Sequence, residues 1–170
     1  MQIWGHGALL VLICGWPMAV AAQDVVFDPV ITTNCMADVD GAARLDCVGA
    51  AAGVCMTETP GGDSTVGMGA CLDREFQFWD GALNAAYGDL MTLYKANDAE
   101  AEAGGWNAPR QVPALQAMQR AWIAYRDARC DFERAKWGGG TGGGPATAQC
   151  LMTVTAEQTL LLQDGLDGLQ

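Results

Sequence analysis

Glu75 and Asp80 supply carboxylates five residues apart, and Asp80, Asn84, Gln119 and Arg126 stand among the aromatic residues Trp79, Tyr87 and Trp122. Two carboxylates are the minimum equipment for acid–base cleavage of a glycosidic bond. In an acidic chain, however, nearby carboxylates are the default and carry no hydrolase signature of their own. The only histidine is His6, near the start. Residues beyond it therefore have no imidazole for a Ser-His-Asp or Cys-His centre or for a His-ligated metal. These residue types suit a structural or recognition role better than turnover. A buried polar group left unpaired costs about 1–3 kcal/mol, so Asp80 is expected to pair with Arg126, and Asn84 with Gln119.

Seven cysteines are present, and six of them follow residue 22: Cys35, Cys47, Cys55, Cys71, Cys130 and Cys150. None stands in the short C-x-x-C spacing of zinc or thioredoxin-like sites, so neither metal nor cofactor is expected. The remaining one, Cys14, lies in an apolar run from Ala8, before Gly15, Trp16 and Pro17 and the small residues Val20-Ala21-Ala22. This pattern reads as a secretory signal over residues 1–22, cleaved near Ala22/Gln23. Ile13 is too large for the position before an acylated Cys14, which argues against a lipoprotein. The run is too short, and too broken by Pro17, to span a bilayer, and no membrane span is expected in the mature chain. An even cysteine count behind such a signal implies disulfides in a periplasmic or secreted protein. Proximity favours Cys35–Cys47 around Gly41, Cys55–Cys71 around the loop Pro60-Gly61-Gly62-Asp63, and Cys130–Cys150 around the glycines 138–144. Sequence alone leaves open how the first four are connected.

Such residues need rigid elements to hold them, and the chain reads as all-α. Leu72, Phe76, Trp79, Leu83, Tyr87, Leu90 and Tyr94 recur at three- and four-residue steps, predicting a helix over Cys71–Lys95. Leu115, Met118, Trp122, Tyr125 and Arg129 do the same over Pro113–Trp137, where Pro113 suits a first helical position. A third helix is expected over Ala148–Asp164, stopping at Gly165, and a shorter one over Ala42–Cys55. The prediction is a small antiparallel helical bundle with long central helices, glycine-rich loops and disulfide bridges. Its domains are the signal at 1–22, a cysteine-bearing extension at 23–66 and a helical domain at 67–170.

With 9 basic and 20 acidic residues, the formal net charge is -11. That argues against a nucleic-acid partner, which needs Lys and Arg in excess, and favours a cationic protein, since opposite fields speed encounter. Six of the basic residues fall between Arg110 and Lys136. Surface pairs of Arg134 with Asp127 and Asp131 are expected there.

Cys71-Leu72, Glu75, Trp79-Asp80, Leu83-Asn84 and Tyr87, followed by Gln119-Arg120-Ala121-Trp122-Ile123, Tyr125-Arg126-Asp127, Cys130, Gly139-Gly140-Thr141, Cys150 and Thr155, resemble the lysozyme inhibitor LprI-like N-terminal domain family. The resemblance covers about residues 67–165. One departure is Gln158, where the family favours Arg. The resemblance implies a secreted, mostly helical, disulfide-stapled bacterial envelope protein, non-enzymatic, that binds and inhibits lysozyme. The alternative is an envelope interaction module with another partner. Candidate recognition or register residues are Trp79, Asp80, Asn84, Tyr87, Gln119, Trp122 and Arg126. Candidate loop contacts for a lysozyme cleft are Trp106, Arg110 and Thr141. The sequence does not fix the oligomeric state.

Overall fold

The computed structural model describes residues 24–168, so the expected signal segment lies outside the described residues. Five α-helices follow in order: α1 (Val30–Ala37), α2 (Ala50–Glu58), α3 (Thr65–Ala103), α4 (Gln111–Ala135) and α5 (Gly143–Asp167), with a 3-10 helix over Gly41–Cys47 between α1 and α2. No strand occurs among the described residues, and the helical bundle is the one expected.

Helix boundaries differ from the sequence reading for local reasons. The helix expected over Ala42–Cys55 is two elements, because Gly49 sits at φ +94°, a left-handed conformation that ends one segment and starts the next. Ser64 caps α3 by accepting from the Gly67 amide at 3.0 Å, so this helix starts before Cys71 and runs 39 residues, about 58 Å. Pro113 is the third residue of α4 rather than the first. Helix α5 begins within the glycine run and continues past Gly165, which lies against Leu90 and Tyr94 of α3.

Helix α5 is the centre of the bundle. Ten of its 25 residues are buried, against two of 25, Leu115 and Cys130, in α4. Its Met152, Ala156 and Leu160 pack with Ala52, Leu72 and Trp79. Leu162 joins Leu83, Ala86, Leu90 and Leu115, while Val154 joins the Cys130–Cys150 bridge. The α3 stripe faces this core as expected, with Leu72, Trp79, Leu83 and Leu90 buried. The α4 stripe does not: Trp122 is half-buried, and Met118 and Tyr125 are exposed. Cystine sulfurs meet at Cys35–Cys47 (1.94 Å), Cys55–Cys71 (1.98 Å) and Cys130–Cys150 (2.05 Å). They tie α1 to the 3-10 segment, α2 to α3, and α4 to α5. At the α2–α3 turn a Cβ on Gly67 would run into the Gly61 carbonyl, so the backbones cross there only with glycine in place.

Candidate functional site

Glu75 has no solvent-exposed surface, and its carboxylate accepts four hydrogen bonds. Oε1 receives the Gly49 amide at 2.7 Å, the Thr32 hydroxyl at 3.1 Å and the Trp79 indole N–H at 3.2 Å. Oε2 receives the Ala52 amide at 2.7 Å. Thr32 Oγ1 in turn accepts from the Ala51 amide at 3.1 Å. The amides belong to the first turn of α2, whose N-cap is Gly49 and so offers no side chain of its own. A carboxylate from α3 therefore caps α2, where free N–H groups and the helix dipole favour negative charge. Burying that charge is costly, and four donors to one carboxylate are what offset it. With four donors on it and no exposed surface, the Glu75 carboxylate is closed to a substrate from solvent. Asp80, five residues on along the same helix, receives Asn84 Nδ2 at 3.1 Å. The two carboxylates do not form an acid–base pair.

A second carboxylate of α3 does the same at the other end. Asp98 Oδ1 accepts the Gln111 amide at 2.8 Å and Oδ2 the Val112 amide at 3.1 Å, capping α4, whose N-cap residue Arg110 makes no side-chain cap. The Gln111 amide above all holds the Asp98 carboxyl below its ordinary range; desolvation opposes it next in size, and the Val112 amide and the Arg110 charge add to the lowering. Asn97 Nδ2 donates to Gln111 Oε1 at 2.9 Å. Arg110 donates to the Asp98 carbonyl at 3.1 Å and to Glu102 at 2.9 Å. The base of the α3–α4 loop is thereby clamped, and Trp106 lies on it with its ring against Gly104 and 62% exposed. Thr141 is exposed in the α4–α5 loop, beside Thr65 and Val66 at the start of α3. The two loops are separated by the length of α4, about 37 Å, so Trp106 and Thr141 cannot enter one cleft side by side.

The polar residues among the aromatics are not joined across α3 and α4. Arg126 pairs with Asp127 at 2.8 Å and lies 5.1 Å from the Trp122 ring centre, a cation–π arrangement. Gln119 accepts from Gln158 of α5 at 3.1 Å. The Asp80–Arg126 and Asn84–Gln119 pairs are thus corrected. The reason is packing: α5 is the main partner of α3, and Asn84 points to solvent. Trp79 is wholly buried and Tyr87 packs beside Leu83 and Leu90. Arg134 pairs with neither acid expected for it: Asp127 is taken by Arg126, and no ion pair joins Asp131 to Arg134 among the described residues. Gln158, where a cation was expected, is buried, and its amide bridges α5 to Gln119 and to Met118 Sδ at 3.1 Å.

Sequence reasoning missed the two capping roles and an apolar cavity of about 510 Å³ between α2, α3 and α5, lined by Met56, Met68, Met152, Leu72 and Trp137. No ionisable side chain lines it; Gln149 and Thr153 add hydrogen-bonding groups to a mainly apolar, methionine-rich wall. Among the described residues no cluster of His, Cys, Asp or Glu is arranged to hold a metal, and no helix is long and apolar enough to cross a membrane.

Fold and site together define a cystine-braced helical scaffold in which buried polar groups cap and cross-link helices. The sequence profile described as lysozyme inhibitor LprI matches residues 55–162, and the chain belongs to that family. The chain is also similar to an uncharacterized protein of Rhizobium meliloti (strain 1021), 27% identical over 62% of this chain and 76% of that one. An uncharacterized 17.7 kDa protein from the puhA 5' region of Rhodobacter capsulatus is 26% identical over 94% of this chain and 95% of its own. No solved structure matches the chain significantly.

Proposed function

We propose that this protein is an exported, non-enzymatic inhibitor that binds lysozyme and obstructs its cleft. The observation that carries the reading is the family match over residues 55–162. The charge of -11 supports it, because an acidic body steers a cationic enzyme toward it. The three cystines suit an oxidising compartment, and residues 1–22 serve as the export signal. The cleft-facing element in this reading is the α3–α4 loop. Trp106 stands exposed on a base held by Asp98, Asn97 and Arg110, and a pre-ordered aromatic loses little entropy on insertion. Arg110 is a weaker contact than sequence suggests, since its guanidinium is already engaged by Glu102 and the Asp98 carbonyl. Thr141, at the far end, lies outside this contact.

The test is lysis of cell walls by c-type, g-type and i-type lysozymes with the purified protein present. Slowed lysis at micromolar protein is expected, with Trp106→Ala weakening it at least tenfold and Thr141→Ala leaving it unchanged. No slowing of any of the three enzymes rejects the reading and favours an interaction module for another partner.

A further inference from the structure

Helix α4 carries an apolar stripe that its own chain leaves largely uncovered, touching it at Met118, which takes the Gln158 amide of α5. Met118, Tyr125 and Phe132 recur every seven residues and are 36%, 56% and 64% exposed. Ala114, Ala121, Ala128 and Ala135 fall between and beyond them at steps of three and four, and all four are exposed. The stripe starts with Gln111 and holds this pattern along the whole helix, with large residues at one seam position and alanine at the other. Such a 3.5-residue repeat, sustained over three heptads, marks a helix made to pack against another helix. It is not the face that meets the core. That face is formed by Leu115, Trp122 and Cys130, and it leaves α4 with two buried residues.

We propose that this stripe is the interface of a symmetric dimer in which α4 packs antiparallel to α4 of a second copy. The case for a second copy as the occupant is that the stripe is complementary to itself. Turn one α4 end over end about a point midway between Ala121 and Tyr125. Then Tyr125 of each copy meets Ala121 of the other, Met118 meets Ala128, and Phe132 meets Ala114. Every large side chain meets an alanine, so each knob has its hole and the axes can approach to about 8 Å. The same two-fold operation puts Arg120 of each copy within one residue rise, about 1.5 Å, of the level of Asp127 of the other, on one flank of the seam, where Arg126 holds only Oδ1 of Asp127 and leaves Oδ2 to the partner. Arg120 is exposed, and the Asp127 side chain is 55% exposed. Two equivalent charge pairs then frame the apolar stripe, as isologous symmetry requires. The face is widened by Leu161 of α5, 57% exposed, which borders the same cavity as Ala114 and Met118.

Sedimentation equilibrium of the purified protein, from low micromolar to near-millimolar concentration, tests this. A mass rising to twice that of the monomer is expected. Ala121→Glu places a charge at the centre of the seam with only a small loss of helix propensity. It should return the protein to a monomer with unchanged circular dichroism and with the melting temperature the parent shows when diluted to monomer. Arg120→Asp should weaken the dimer at least fivefold, and Asp127→Arg added to it should restore most of the loss. A protein that stays monomeric throughout, or a dimer indifferent to Ala121→Glu, overturns the proposal. A monomer whose lysozyme binding is abolished by Ala121→Glu overturns it too, and assigns the stripe to that enzyme instead.

Discussion

Glu75 shows how one side chain can be both costly and necessary. Its carboxylate is buried, and it holds Thr32, Gly49, Ala52 and Trp79 in one arrangement. Glu75→Gln keeps the shape but sets an amide N–H₂ against N–H donors. A loss of about 3 kcal/mol is expected in urea unfolding; a loss below about 1 kcal/mol would mean that the donors find other acceptors. Thr155 is the opposite case. Its hydroxyl is buried without a hydrogen-bond partner among the described residues. Thr155→Val removes the polar atom at nearly constant shape, and a gain of about 1 kcal/mol is expected. Asp98 gives a pH signature. Its carboxyl is held below the ordinary value by the Gln111 and Val112 amides and by Arg110, so the stabilisation is present above about pH 4 and is lost as pH falls through the lowered value. Asp98→Ala should melt earlier than the parent at neutral pH, and the gap should close in acid. A gap that persists at pH 2 would show that the carboxylate's charge is not what matters.

At the level of elements, α3 is a spine that finishes its neighbours. Neither α2 nor α4 has a side-chain cap of its own, and α3 supplies a carboxylate to each. Helix α5 fills the core, while α4 rests on it through few buried residues and the Cys130–Cys150 bridge. Replacing both cysteines by serine should therefore cost about 3 kcal/mol. The effect should be local: hydrogen exchange should quicken in the C-terminal half of α4, with α3 and α5 protected as before. Equal quickening in all three helices would show that α4 is integral to the core rather than strapped to it.

The whole molecule pairs an acidic body with its cations gathered on 110–136. If lysozyme is the partner, raising ionic strength should slow association while leaving dissociation nearly constant, because screening acts on encounter more than on the docked contact. Surface plasmon resonance in a salt series measures both. A dissociation rate that carries the whole salt effect would place a charge pair inside the interface instead. The centre of the dimer seam, at Ala121, lies about 15 Å along α4 from the base of the Trp106 loop at Gln111, so self-association and lysozyme binding should separate in variants: Ala121→Glu for one, Trp106→Ala for the other.

What the sequence determined by itself was the helical class, the α3 stripe and the family, because these rest on periodicity and on residue types at fixed spacing. Trp79, Leu83 and Leu90 face the core as their spacing requires, since a helix places such residues on one side whatever it packs against. Tertiary structure alone decided which polar groups meet. Arg126, Asn84 and Gln119 each had several partners within reach of a helix surface, and the choice fell to the placement of α5, which separates groups that neighbouring stripes seemed to pair. Only the fold could show that Glu75 and Asp98 close the ends of other helices, because their donors are backbone amides 23 and 13 residues away. Backbone amides carry no side-chain identity that a sequence pattern could register.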